Sequence, residues 1–122
     1  PDYASLEDAL DEAVQMVIKN KRIVYHLYRS ADRALVEMYL MRICEQVILS
    51  YIHDNRGDLS VSPEDKTIIV RYYKCQCFGM IIDWLNSDMR FDIAAEARRM
   101  YELRKGMLEE IVRRASMQRS KA

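Results

Sequence analysis

The sequence predicts an all-α fold of five helices in one domain, and three observations carry that prediction. Composition comes first: in 122 residues only three Gly and two Pro stand against eight Met and abundant Leu, Ile, Val and Ala, a balance that favours long helices over strands. Periodicity comes second. Apolar residues recur every three to four positions along most of the chain, as they do on one face of a helix. Punctuation comes third: the chain breakers gather in one stretch, NRGDLSVSPED at 55–65, which reads as a surface loop between two long periodic runs. No segment reads as a strand. The length suits a single domain over residues 1–122, and a chain of this size buries roughly two thirds of its unfolded surface, enough for a core.

The first helix is expected at about 5–19. Ser5 followed by Asp8 resembles a capping box; Leu6, Ala9, Leu10, Ala13, Val14 and Val17 share a face; acids lead and Lys19 closes, as the helix dipole favours. Asn20 breaks the pattern, and KRIVYHLYR is a short second helix with Ile23, Leu27 and Tyr28 on its apolar side. Ser30 reads as the N-cap of a long third helix over about 31–54, with Leu35, Val36, Tyr39, Leu40, Ile43, Val47, Ile48, Tyr51 and Ile52 as its apolar positions. Ser62, Pro63, Glu64 and Asp65 make a strong start for the fourth helix: a cap, a first-turn Pro, then acids. That helix runs to about Ser87, NSDMRFD turns the chain, and Asp92 caps a last helix over about 93–116. Its apolar positions are Ala97, Met100, Leu103, Met107, Leu108 and Ile111, and the polar tail SMQRSKA reads as a frayed end.

The fourth helix holds the stretch that organises the chain, TIIVRYYKCQCFGMIIDWLNSDM at 67–89. It is apolar on nearly every side, so it needs cover on nearly every side. One flank can meet the home core; the other asks for a second partner, most simply another copy of the chain. Gly79 sits mid-helix, where Gly costs about 1 kcal/mol against Ala. On the face Ile68, Tyr72, Cys75, Gly79, Ile82 the small residues lie in the middle, where another helix can approach closely. Two packings satisfy that face: a crossing with a second protomer at Cys75 and Gly79, or a close contact inside the monomer.

Several function classes find no support. Nineteen Lys and Arg balance nineteen Asp and Glu, so no basic excess points to nucleic acid or an anionic membrane. Three Cys, an odd count, argue against a disulfide framework and for a reducing, cytoplasmic setting. Cys75 and Cys77 stand two apart, on different sides of a helix, and so form no redox pair. With His26 and His53 they show no zinc-ligand spacing, and neither a metal nor a cofactor is implied. No apolar run nears about 20 residues, so no membrane span is expected, and no signal peptide opens the chain. The chain starts at Pro1 rather than Met, as a piece of a longer protein would. Nothing is spaced with His26 to suggest a catalytic triad, and the arginines from Arg98 to Arg114 interleave with glutamates on a mixed, solvated face. An enzyme is not expected.

Eight Tyr in a helical domain supply polar groups that can orient a ligand in an apolar cavity, although tyrosines at a core edge ordinarily pack with their hydroxyls wet. Tyr25, Tyr28, Tyr39 and Tyr73, together with Met16 and Trp84, are the candidate ligand-binding residues, Trp84 being first of all a core residue.

Two segments, NKRIVYHLYRSADRALVEMYL and SPEDKTIIVRYYKCQCFGMIIDWLNSDMRFD, resemble the C-terminal domain of TetR/AcrR-type transcriptional regulators, in a subgroup found mainly in Gram-positive bacteria. The marks are Tyr28-Arg29-Ser30, Tyr72-Tyr73-Lys74 followed by Phe78-Gly79, then Asp83-Trp84-Leu85 and Met89, so the likeness covers about 20–92. The resemblance implies an all-helical regulatory domain that binds a small apolar or amphipathic effector and forms a homodimer. It implies that the last two long helices pair with a second protomer as a four-helix bundle; on the helix faces read above, Tyr72, Cys75, Gly79, Ile82, Met100, Met107 and Ile111 are the candidate interface residues. It implies, too, a separate N-terminal helix-turn-helix domain that binds operator DNA, which this stretch of sequence does not contain. The alternative is a helical protein–protein interaction module without a ligand.

Overall fold

In the computed structural model, residues 6–54 and 61–121 are described. They form α1 (Leu6–Lys19), α2 (Lys21–Tyr28), α3 (Arg33–Asp54), α4 (Pro63–Asn86), α5 (Ile93–Arg104) and α6 (Met107–Lys121), with no strand among them. The expected cap at Ser5 and residues 55–60 of the expected loop lie outside the described residues.

Helix α3 is the centre of the arrangement. It packs most extensively on α4, then on α1 and α2, while α5 lies mainly against α1. Its inward face is Val36, Leu40, Cys44, Val47, Ile48, Tyr51 and Ile52. These meet Ala9, Ala13, Val14 and Val17 of α1 and Val70, Tyr73, Cys77, Ile81, Trp84 and Leu85 of α4 in one continuous core. Leu35 and Tyr39, expected on the inward face, are instead exposed, and Cys44 takes a core place. On α2 the buried pair is Val24 and Tyr28, one turn apart, whereas Ile23 and Leu27 face outward.

The expected starts of α4 and α5 are present as hydrogen bonds. Ser62 Oγ accepts from Asp65 N–H at 3.1 Å with Pro63 in the first turn, and Asp92 Oδ1 accepts from Ala95 N–H at 3.0 Å. Ser30 does accept from a backbone N–H, that of Asp32 at 3.1 Å, but α3 begins later, at Arg33. The first intrahelical bonds run instead to Asp32 C=O, from Leu35 and Val36 N–H.

The fold has six helices rather than five because the last one is broken. Gly106 sits at φ 88°, a left-handed conformation that glycine adopts without steric cost, and it redirects the chain between α5 and α6. The bend carries Leu108 and Val112 onto the core, beside Ile48, Ile52 and Ile69. Met100, Leu103, Met107 and Ile111 are left exposed. Helix α6 continues to Lys121, past the expected end near 116; no Gly or Pro interrupts 107–121. An exposed cluster binds its middle, with Glu110 accepting from both Arg113 and Arg114, and these bonds hold the Glu110 carboxyl down at about 2.

Burial makes a direct prediction. Ile48→Ala, at a fully buried core position, is expected to lower unfolding free energy by about 2–5 kcal/mol. Leu35→Ala, at a side chain 66 % exposed, should change it by no more than about 0.5 kcal/mol. Urea denaturation of both variants tests the assignment of the inward face of α3; equal losses would contradict it.

Candidate functional site

The cavity most suited to a ligand lies where α1, α4 and α5 converge. Its volume is about 390 Å³ and it is half open to solvent, within the usual range for small-molecule pockets. The first helix supplies Asp8, Leu10, Asp11 and Val14; α4 supplies Gln76, Cys77 and Met80; α5 supplies Ala97, Arg98, Met100, Tyr101, Glu102 and Arg104. The helical repeat sets this composition. On α4, Gln76 and Met80 flank the buried stripe to which Cys77 belongs, so the cavity meets the core at its edge.

One atom beside this cavity lacks a hydrogen-bond partner among the described residues. Asp11 Oδ1 is buried, and no donor among the described residues reaches it. A buried acceptor without a partner costs roughly 1–3 kcal/mol, and more when charged, so such atoms are rare in folded proteins. The remaining charges are mixed: Asp8 and Glu102 are acidic, Arg98 and Arg104 basic. Gln76 and Tyr101 add polar groups, and Leu10, Val14, Met80, Ala97 and Met100 are the apolar part of the wall.

A profile described as the transcriptional regulator C-terminal region, of TetR type, matches residues 4–106. The chain belongs to the TetR-type transcriptional regulator C-terminal family. No curated protein and no solved structure matches it significantly. Among the described residues of this TetR-type region, no helix is long and apolar enough to cross a membrane.

The six ligand candidates read from the sequence of this TetR-type domain occupy quite different places. Tyr25 and Tyr28 of α2 clamp the far end of α4. Tyr28 O–H donates to Asn86 Oδ1 at 2.7 Å, Tyr25 O–H donates to Asp88 Oδ1 at 2.6 Å, and Arg33 and Arg29 lie over the two rings. Trp84 is buried and its Nε1–H donates to Phe91 C=O at 3.0 Å, which closes the turn after α4. Met16 and Tyr39 are exposed. Tyr73 is buried, with Arg104 of the cavity wall 5.8 Å above its ring. None of the six lines the cavity between α1, α4 and α5. Spacing alone did not single out the residues that do, because they come from three helices far apart in the chain. The one signal available beforehand was Asp11, an acid one turn before the inward-facing Val14.

The turn that Tyr25 grips is unusual in its backbone. Asp88 and Met89 have φ 60° and 59°, consecutive left-handed residues that are uncommon outside glycine. Their N–H groups cap α4, Asp88 to Leu85 C=O at 3.0 Å and Met89 to Trp84 C=O at 2.9 Å. The Asp88 carboxylate is held by the Tyr25 hydroxyl and by Arg29 at 3.4 Å and Arg90 at 3.7 Å. The hydrogen bond from Tyr25 is the main reason this carboxyl lies below its ordinary 3.8; the two guanidinium groups add to it and burial opposes it.

The seven dimer candidates divide by element. On α4, Tyr72, Cys75 and Gly79 are exposed and Ile82 is half-buried, so they mark an open stripe along the helix opposite its core face. A Cβ placed at Gly79 would meet nothing within 4 Å. The close contact inside the monomer, one of the two packings its position allowed, is therefore not what this glycine serves. On α5 and α6, Met100, Met107 and Ile111 are exposed, and Met100 also lines the cavity.

The Asp88 clamp is pH-sensitive with a defined sign. A carboxyl whose folded value is depressed contributes stability above its unfolded value, and that contribution is lost as pH falls through the folded value. Tyr25→Phe should therefore lower the melting temperature at pH 7, and the gap from the parent should narrow below about pH 3.8. Thermal melts from pH 7 to pH 2.5 measure this; a gap independent of pH would show that the hydroxyl acts only through packing.

Proposed function

We propose that this chain is the effector-sensing and dimerising region of a TetR-type regulator, controlling operator binding by an N-terminal DNA-reading domain. The observation that carries the sensing role is the cavity between α1, α4 and α5, largely apolar in its walls and bordered by the carboxyl of Asp11, one of whose oxygens is buried without a donor among the described residues. The ligand this calls for is amphipathic: an apolar body against Leu10, Val14, Met80 and Ala97, and a hydrogen-bond donor, best a cationic amine, directed at Asp11. A cationic donor at the Asp11 carboxylate adds a charge-assisted hydrogen bond, so the gain in binding exceeds that of apolar contact alone.

The dimerising role rests on the open stripe of α4. Ile68, Tyr72, Cys75 and Gly79 lie on one line, and Ile68 and Tyr72 are 50 % and 66 % exposed. Apolar side chains in a row on a helix surface mark an interaction face, and a two-fold partner presents the same stripe in return. Met100, Met107 and Ile111 extend the surface available to that partner. An effector switches such a dimer only if it binds one arrangement of the two protomers better than the other.

Two measurements test the proposal. Native mass spectrometry should find a dimer, and Gly79→Arg should convert it to a folded monomer with unchanged helical circular dichroism, since nothing inside the protomer stands near that position. A dimer unaffected by Gly79→Arg would reject the α4 stripe. In a thermal-shift panel, arylalkyl amines should stabilise the chain more than the matching carboxylates. Asp11→Asn should weaken amine binding by roughly tenfold or more, and Ala97→Trp, which fills the cavity, should abolish it.

A further inference from the structure

Helices α3 and α4 meet at two buried sulfurs. Cys44 of α3 has no exposed surface and Cys77 of α4 is 3 % exposed. The Cys44 thiol donates to Cys77 Sγ across 3.1 Å, and both are free thiols. A disulfide places its sulfurs about 2.05 Å apart, so a closure of roughly 1 Å would join them. The two differ in access. Cys77 forms part of the cavity wall with Gln76 and Met80, whereas Cys44 belongs to the core behind it. Cys75 is exposed on another side of α4.

We propose that Cys77 and Cys44 form an oxidisable pair, at which a hydroperoxide entering the cavity generates a disulfide between α4 and α3. In the first step the Cys77 thiolate attacks one peroxide oxygen. The S–O bond forms as the O–O bond breaks; the sulfur loses two electrons and the peroxide gains them, leaving as an alkoxide that takes up the proton Cys77 gave up. In the second step Cys44 gives up its proton and attacks the Cys77 sulfur. The S–S bond forms as the S–O bond breaks, and the departing hydroxide takes that proton to become water. Two thiols and one hydroperoxide thus yield one disulfide, one alcohol and one water; with hydrogen peroxide the alcohol is a second water.

The surroundings set the order of these steps. The hydrogen bond from Cys44 favours the Cys77 thiolate and shifts that thiol downward, with burial opposing and the Arg104 guanidinium assisting. Cys44, as the donor to a neighbouring sulfur and deeper in the core, is shifted upward. The thiol that reaches the cavity is thus the one prepared to react with an oxidant, and the one behind it resolves the product. Their separation of 33 positions along the chain means that the bond closes a long loop and ties the helix bearing the exposed stripe to the centre of the fold.

The experiment uses a Cys75→Ser background, which removes the exposed competitor. After treatment with a small molar excess of hydrogen peroxide, the intact mass should fall by two hydrogens, and a non-reducing peptide map should join Cys44 to Cys77. The melting temperature should rise by roughly 10 °C, and dithiothreitol should reverse all three changes. With Cys44→Ala added, the reaction should stop at a dimedone-reactive sulfenic acid on Cys77; with Cys77→Ala added, Cys44 should not react. The map on the Cys75→Ser protein alone decides the matter if either second variant folds poorly. Two free thiols remaining at Cys44 and Cys77 after peroxide treatment would overturn the proposal, as would oxidation beginning at Cys44.

Discussion

Helix α4 brings 24 residues of mainly apolar character into a domain that can cover only part of them. The constraint is resolved by one seam. Val70, Tyr73, Cys77, Ile81, Trp84 and Leu85 advance in steps of three or four, apart from the final adjacent pair, and all are buried. Facing them, α3 offers Cys44, Val47 and Ile48 from its own inward stripe. Each fully buried large side chain contributes on the order of 1.5–3 kcal/mol, so this seam outweighs any single polar contact around it. The polar contacts fix its register instead. Lys74 pairs with Glu45 across the middle, and the tyrosines of α2 hold the C-terminal end of α4 at Asn86 and Asp88.

Keeping the polar groups at the rim has a consequence for recognition. Among the described residues, no charged, amide or aliphatic hydroxyl side chain is buried as a whole, so apart from its thiols and aromatic polar atoms the core offers a ligand only shape. The places where a polar group is nonetheless enclosed then carry the information. The Trp84 indole N–H is enclosed and satisfied by Phe91 C=O. Asp11 Oδ1 is enclosed and not satisfied. The first contact stabilises a turn; the second leaves one oxygen of a carboxyl at the cavity wall without a donor from the described residues.

The helices were legible because apolar period and capping chemistry are local. Ser62-Pro63-Glu64-Asp65 and Asp92 announced two helix starts, and both bonds are made. Finer assignments failed where periodicity admits neighbouring solutions. A stripe of seven or eight residues can rotate by one position, which is how Ile23 and Leu27 gave way to Val24, beside the expected Tyr28, on α2. Gly106 was visible as a residue, but a single glycine inside an otherwise helical pattern does not reveal whether it bends the chain; its φ of 88° does. The candidate site was least legible. Tyrosine chemistry suggested ligand contacts, yet the Tyr25 and Tyr28 hydroxyls are engaged by carbonyl and carboxylate oxygens of Asn86 and Asp88, some sixty positions away. Likewise Cys75 and Cys77 were correctly separated, while the partner of Cys77 lay on another helix.

Three faces of α4 therefore have three different surroundings within the same 24 residues. Its buried face makes the α3 seam and contains Cys77; the flank with Gln76, Cys77 and Met80 borders the cavity; the face with Tyr72, Cys75 and Gly79 is open. Closely packed helices move as nearly rigid bodies, because interiors as dense as organic crystals transmit displacement rather than absorb it. The C-terminal end of α4 is clamped by α2 and by the Asp88 turn, so an adjustment of its cavity flank would pivot the helix about that end. Under the dimer proposed above, the pivot would alter how two open stripes cross. Ligand binding at the cavity and bond formation at Cys77 would then act on one lever, each to the extent that it favours one position of α4 over the other.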